Sequence, residues 1–135
     1  MTRFLIVRLG ALGDVVHGIP VAAALRAHFP SAAIDWLVSP PCVELLDLVD
    51  GLDRRIPVDP RRRSRGAHGQ PRLRGVIRDL RAQRYDAAFD LQGLLKSALI
   101  ARSAGASVTV GFSRGHAREA LATAFYTHEI GRAHV

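Results

Sequence analysis

The sequence predicts an α/β fold, a parallel sheet with helices on both of its faces. Three observations predict it. Short apolar, β-prone runs alternate with stretches of helical periodicity along the whole chain, without an internal repeat. The runs end near Gly, Pro or Ser, with Pro30, Pro40, Pro41 and Pro57 at the boundaries. The 135 residues, 48% of them hydrophobic, suffice for one domain with a buried core. A sheet of this kind is Rossmann-like, and its crossovers are right-handed.

Each element follows from its residues. The first strand is expected at 3–7, where Phe4, Leu5, Ile6 and Val7 form an unbroken apolar run. The segment RLGALGDVVHGIP comes next. Its glycines Gly10 and Gly13 permit close approach by other molecules, and a helix over 14–28 repeats apolar residues at Val15, Ile19, Ala22 and Leu25. A second strand at 33–38 precedes a helix at 41–49, and a third strand is expected at 54–58. The stretch 60–71 has no apolar periodicity and is expected to be a mobile loop. Helices at 73–84, 94–104 and 115–125 then alternate with strands at 87–91 and 107–112.

Composition excludes several classes. A single cysteine, Cys42, cannot form an internal disulfide. The sequence shows no signal peptide and no apolar run long enough to span a bilayer, so a cytoplasmic location is expected. The histidines and Cys42 lack metal-ligand spacing, and neither a structural metal nor a cofactor is expected. The net charge of +7 is concentrated: Arg61, Arg62, Arg63 and Arg65 crowd a stretch, 54–84, whose acids are Asp59 and Asp79 alone. That field favours an anionic partner. No aromatic residue lies between Trp36 and Tyr85, and no helix-turn-helix or RNA-binding signature is present, which disfavours nucleic acid.

Three segments carry candidate chemistry. The first places Asp14 where a buried strand gives way to a helix, the edge at which open α/β sheets bind ligands, and a carboxylate there can accept a proton. By spacing alone Asp14 reads first as a helix N-terminal residue stabilised by the dipole, and His17 as a packing residue. Gly10 and Gly13 match neither the full G-x-G-x-x-G fingerprint nor a P-loop. The second segment, DLQGLLKS, ends an apolar strand and turns on Gly93. It sets Lys96 in the first turns of a helix, against the dipole preference, with Gln92 beside the turn. The third, GFSRGHAREALATAFY, spaces Arg114 and Arg118 about one helical turn apart. Read locally, Lys96 and both arginines are equally solvated surface residues. A nucleotide-binding Rossmann module, or a basic domain that binds anionic ligands or nucleic acid without catalysis, stays open at this point.

Taken together, GALGDVVHGIP, DLQGLLKSALIAR and GFSRGHAREALATAFY, in this order, resemble the amino-terminal half of the lipopolysaccharide heptosyltransferases of glycosyltransferase family nine. The resemblance is nearest to the branch that adds the first heptose of the inner core. IDWLV and RRIPV fit that family's second and third strands, so the similarity runs over about 3–129. It implies a GT-B enzyme with two Rossmann-like domains, of which 1–129 is the acceptor-binding one and the donor-binding domain is absent. Such an enzyme moves L-glycero-D-manno-heptose from ADP-heptose to a Kdo residue of Kdo-lipid A with inversion, ADP-heptose being a donor substrate and not a cofactor. By the resemblance Asp14 matches the general base. Arg61, Arg62, Arg63 and Arg118 are acceptor-binding candidates, since guanidinium groups grip carboxylates and phosphates bidentately. Gln92, Lys96 and His17 line or orient the same site. The acceptor is a lipid of the cytoplasmic leaflet, which implies peripheral contact with the anionic inner-membrane face. Two departures stand out: Gly10 and Ala11 where the family often has serines, and loop arginines without an aromatic among them. Finally, IGRAHV at 130–135 translates ATC GGA AGA GCA CAC GTC, a common short-read sequencing adapter. The expectation is a non-native tail on a chain cut near Glu129, inactive in transfer by itself.

Overall fold

The computed structural model of the chain describes residues 2–59, 73–112 and 128–130. Six strands form one sheet in the order β3-β2-β1-β4-β5-β6: β1 Arg3–Val7, β2 Ala33–Val38, β3 Arg54–Pro57, β4 Ala87–Asp90, β5 Val108–Phe112 and β6 His128–Ile130. Every pairing is parallel, so all carboxyl ends share one edge. Four helices are described: α1 Leu12–His28, α2 Val43–Asp47, α3 Leu73–Gln83 and α4 Leu95–Ser103.

The core follows from the period-2 alternation of a strand covered on both sides. In β1, Phe4 and Ile6 point to one face, where they meet Trp36 and Val38 of β2, Val15 and Ala22 of α1 and Leu46 of α2. Leu5 and Val7 point to the other, where Leu37, Val76 and Leu80 of α3 and Ile100 and Ala101 of α4 close over them. Helices α1 and α2 join strands on one side of β1 and cover one face, whereas α3 and α4 cover the other. Right-handed crossovers require this when the direction of strand addition reverses.

The Rossmann-like α/β prediction holds, with local corrections. Helix α1 begins at Leu12 and not at residue 14, because Ala11 caps it in an extended conformation and the Val15 amide already reaches the Ala11 carbonyl at 3.0 Å. The helix expected at 41–49 divides into a 3-10 turn, Pro40–Cys42, and α2, since the paired prolines sit in the first turn and supply no amide donors. Strands β3 and β4 each end one residue early, yet the Val58 and Leu91 amides still donate to Val38 and Val7 at 2.9 and 3.0 Å. Strand β6 was not foreseen, three residues being too short to show a period. The expected loop at 60–71 and helix at 115–125 lie outside the described residues, as do 131–135 of the expected tail.

Towards the amino end of the sheet, Asp35 of β2 is 2% exposed and takes the Tyr85 hydroxyl at 2.5 Å. Arg54 of β3 reaches both, at 3.3 Å each. Burial first, and then the bond to Asp35, push the Tyr85 phenol well above its ordinary value, so it stays a donor.

Candidate functional site

The strand order reverses between β1 and β4, and loops leaving the two strands on opposite faces must diverge there. At that point lies a cleft of about 660 Å³. Its walls are the β1–α1 loop with Leu9, Gly10 and Ala11, the turn after β2 with Ser39 and Cys42, Asp59 beyond β3, and Gln92, Lys96 and Ser97 beyond β4.

The β1–α1 loop is held from three directions. The Trp36 indole nitrogen donates to the Arg8 carbonyl at 3.0 Å. The Leu9 carbonyl accepts from the Ser39 amide at 2.8 Å and also from the Ser39 hydroxyl. The Leu9 amide donates to Gln92 Oε1 at 2.7 Å, which ties the loop to the one after β4. A Cβ at Gly10 would stand 3.1 Å from Ser39 Oγ, a tight contact that the hydroxyl would have to yield to by a few tenths of an ångström.

Asp14 is the third residue of α1, where the amino-terminal dipole favours a carboxylate. Its Oδ1 pairs with Arg8 Nη2 at 3.1 Å. The arginine side chain is 12% exposed and that of Asp14 32%, so the cation stands behind and the carboxylate in front. Arg8 Nη1 donates to the Leu91 carbonyl, while Nε is buried without a hydrogen-bond partner among the described residues.

The β4–α4 loop is organised by Asp90, which is fully buried. Its Oδ1 accepts the amides of Gln92 and Gly93 at 3.0 and 3.3 Å, and Oδ2 accepts from the Ser97 hydroxyl at 3.2 Å. Ser97 Oγ in turn accepts the Leu94 amide at 3.1 Å, which caps α4. Gly93 turns the chain at φ +74°, a conformation that disfavours any side chain. Asp90 is therefore engaged by the loop's amides and the Ser97 hydroxyl, and Lys96, exposed, stands at the cleft wall.

The fold brings Gly10, Gln92 and Lys96 into one cleft, whose lining includes Leu12 at the start of α1, while Asp14, two residues further along that helix, is not itself in the lining. Gln92 spends its carbonyl oxygen on Leu9. His17 is exposed and stands outside the cleft lining, and Gly13 is exposed with open space around it. Arg61, Arg62, Arg63 and Arg118 lie outside the described residues, although Arg61 follows the cleft residue Asp59 by two positions. Sequence reasoning missed Arg8 and Ser39. The usable signal was a cation directly after an apolar strand, where a solvated residue has no reason to be. No helix among the described residues is long and apolar enough to cross a membrane.

Comparison with known proteins agrees with the fold. Residues 73–134 match glycosyltransferase family 9 (heptosyltransferase). Lipopolysaccharide heptosyltransferase 1 of Escherichia coli is 33% identical over 135 residues, which is 96% of this chain and 42% of that protein. The Pseudomonas aeruginosa protein of the same name is 35% identical, covering 92% of this chain and 36% of its own length. The chain thus spans about two fifths of the length of the curated relatives it matches. The solved structure of E. coli heptosyltransferase WaaC with ADP-2-deoxy-2-fluoro heptose superposes with a TM-score of 0.82 at 31% identity, over 96% of this chain and 42% of that one. With the motifs of the first and fourth strands at the reversal of strand order, the chain is similar along nearly its whole length to heptosyltransferases of glycosyltransferase family 9.

Proposed function

We propose that the chain is the acceptor-binding part of an inverting heptosyltransferase, which moves L-glycero-D-manno-heptose from ADP-heptose to a Kdo hydroxyl of Kdo-lipid A. The observation that carries the reading is Asp14, ion-paired from behind by Arg8 and two residues along α1 from the cleft-lining Leu12, in a chain similar to lipopolysaccharide heptosyltransferase 1. The relative solved with a fluorinated ADP-heptose supports an ADP-sugar donor.

In this mechanism Asp14 takes the proton of the acceptor hydroxyl as its oxygen attacks the anomeric carbon. The bond from that carbon to the ADP oxygen breaks on the opposite face, its electron pair leaves with ADP, and the centre inverts. No covalent enzyme intermediate is needed. Lys96 at the cleft wall offers charge to the acceptor's carboxylates and phosphates, joined by Arg61, Arg62, Arg63 and Arg118. Gln92 serves the site through the Leu9 amide it holds, and His17 stands one turn along α1 from Asp14. The enzyme works in the cytoplasm, with the arginine-rich segment against the anionic membrane face.

Asp14→Asn in the whole enzyme, assayed with ADP-heptose and Kdo-lipid A, is expected to cut transfer about 10²–10⁴-fold, the usual worth of a positioned base. Transfer within a few-fold of wild type overturns the reading. The same reading makes 1–129 the acceptor-binding domain. Sequencing the source gene across codons 126–135 tests that boundary. An open frame running from codon 129 into a second α/β domain supports it, and a native stop after codon 135 removes it.

A further inference from the structure

A carboxylate on the first turn of a helix can adopt several rotamers, and a general base must meet its proton within about 2.6–3.2 Å. Something has to select one orientation. Exposed ion pairs do this poorly, because two mobile side chains share one contact. The Arg8–Asp14 pair differs in how its cation is anchored. The Arg8 amide donates to the Leu37 carbonyl at 3.3 Å and its carbonyl accepts from Trp36 at 3.0 Å, so the root of the side chain is fixed to β2. The far end is fixed to the other neighbour of β1, because Nη1 donates to the Leu91 carbonyl just beyond β4. With one arm of the planar fork engaged there, Nη2 is presented to Asp14 Oδ1.

We propose that Arg8 is the positioning residue for Asp14: braced between β2 and β4, it holds one carboxylate oxygen and so sets the orientation of the group. The assignment rests on the reading of Asp14 as the base, and it explains how a residue on a helix surface is held to one geometry.

Carboxyl ¹³C NMR and side-chain couplings of Asp14 test it in the 135-residue chain, comparing wild type with Arg8→Gln and Arg8→Lys. In Arg8→Gln the Asp14 titration midpoint is expected to rise by about one pH unit, and its rotamers to average. Other ionisable groups on the flanking elements, His17, Asp59, Asp90 and Lys96, are common to all three chains, so the difference belongs to Arg8. Arg8→Lys is expected to restore most of the midpoint but not the single rotamer, since an ammonium on a flexible stem does not span Leu91 and Asp14 together. Amide spectra of β1 and β4 report that each variant is folded. If Arg8→Gln does not fold, Arg8→Lys decides: a single Asp14 rotamer there overturns the proposal, and averaged rotamers support it. An unchanged midpoint and rotamer in folded Arg8→Gln overturn the proposal directly. Full transfer by Asp14→Asn overturns it through the reading beneath it.

Discussion

Of the four aspartate–arginine ion pairs among the described residues, two are built in opposite senses. At the carboxyl edge the arginine is inside and the carboxylate outside, Arg8 at 12% and Asp14 at 32% exposure. Towards the amino end the carboxylate is inside, with Asp35 at 3% and Arg54 at 46%. The first arrangement leaves an anion within reach of another molecule while its countercharge stays fixed in the protein. The second removes the anion from reach altogether and satisfies it with Tyr85 and Arg54. Both ends of the sheet thus hold an acid and a base in contact, and only one of them can do chemistry on a ligand.

The comparison breaks most visibly under matched substitutions to alanine. Asp35→Ala is expected to cost about 2–4 kcal/mol, because it opens a cavity and leaves the buried Tyr85 O–H without its acceptor, its remaining partner Arg54 being only a donor. Asp14→Ala is expected to cost under about 1 kcal/mol, as partly exposed pairs do. Urea unfolding of both chains measures this. Equal losses would mean that Asp14 is a structural residue too, and the functional contrast between the two ends would go.

Much of this division was legible in the residues. The apolar run Phe4 to Val7 demanded a strand covered on both faces, and the glycines after it marked the edge where the chain turns, so Asp14 could be placed at the ligand edge unaided. The partners could not. Arg8 and Asp14 are six positions apart but lie on either side of the β1–α1 loop, where neither periodicity applies, and they meet because the chain turns between them. Asp35 and Tyr85 are fifty positions apart, joined only once β4 pairs with β1 and β1 with β2. The role of Gln92 was hidden for the same reason. A polar side chain after a strand reads as a ligand contact, and its engagement with the Leu9 amide depends on a parallel register that no local pattern encodes. The resemblance to a family pointed to roles for such residues without supplying their contacts.

A further substitution of modest effect ties the buried core to the exposed pair. Gly18 is buried on α1, and a Cβ there would stand 2.8 Å from Cη2 and 3.0 Å from Cζ2 of Trp36, with Leu91 Cδ1 at 3.4 Å. Trp36 is fully buried, so its ring has no solvent to move into. Alanine would add about 1 kcal/mol of helix propensity at this position, whereas overpacking a filled core costs about 1–3 kcal/mol. Gly18→Ala is therefore expected to lower stability by about 1 kcal/mol net. The consequence reaches further than that figure, because the displaced indole is the one whose nitrogen holds the Arg8 carbonyl and whose neighbour Leu91 bears the carbonyl that Arg8 grips. Calorimetry of Gly18→Ala with amide spectra of residues 8 and 14 separates two cases. A small destabilisation with both amides shifted means that the reachable carboxylate is set from the core through Trp36 and Arg8. A gain in stability with both amides unmoved means that the ring yields freely and the two layers are uncoupled.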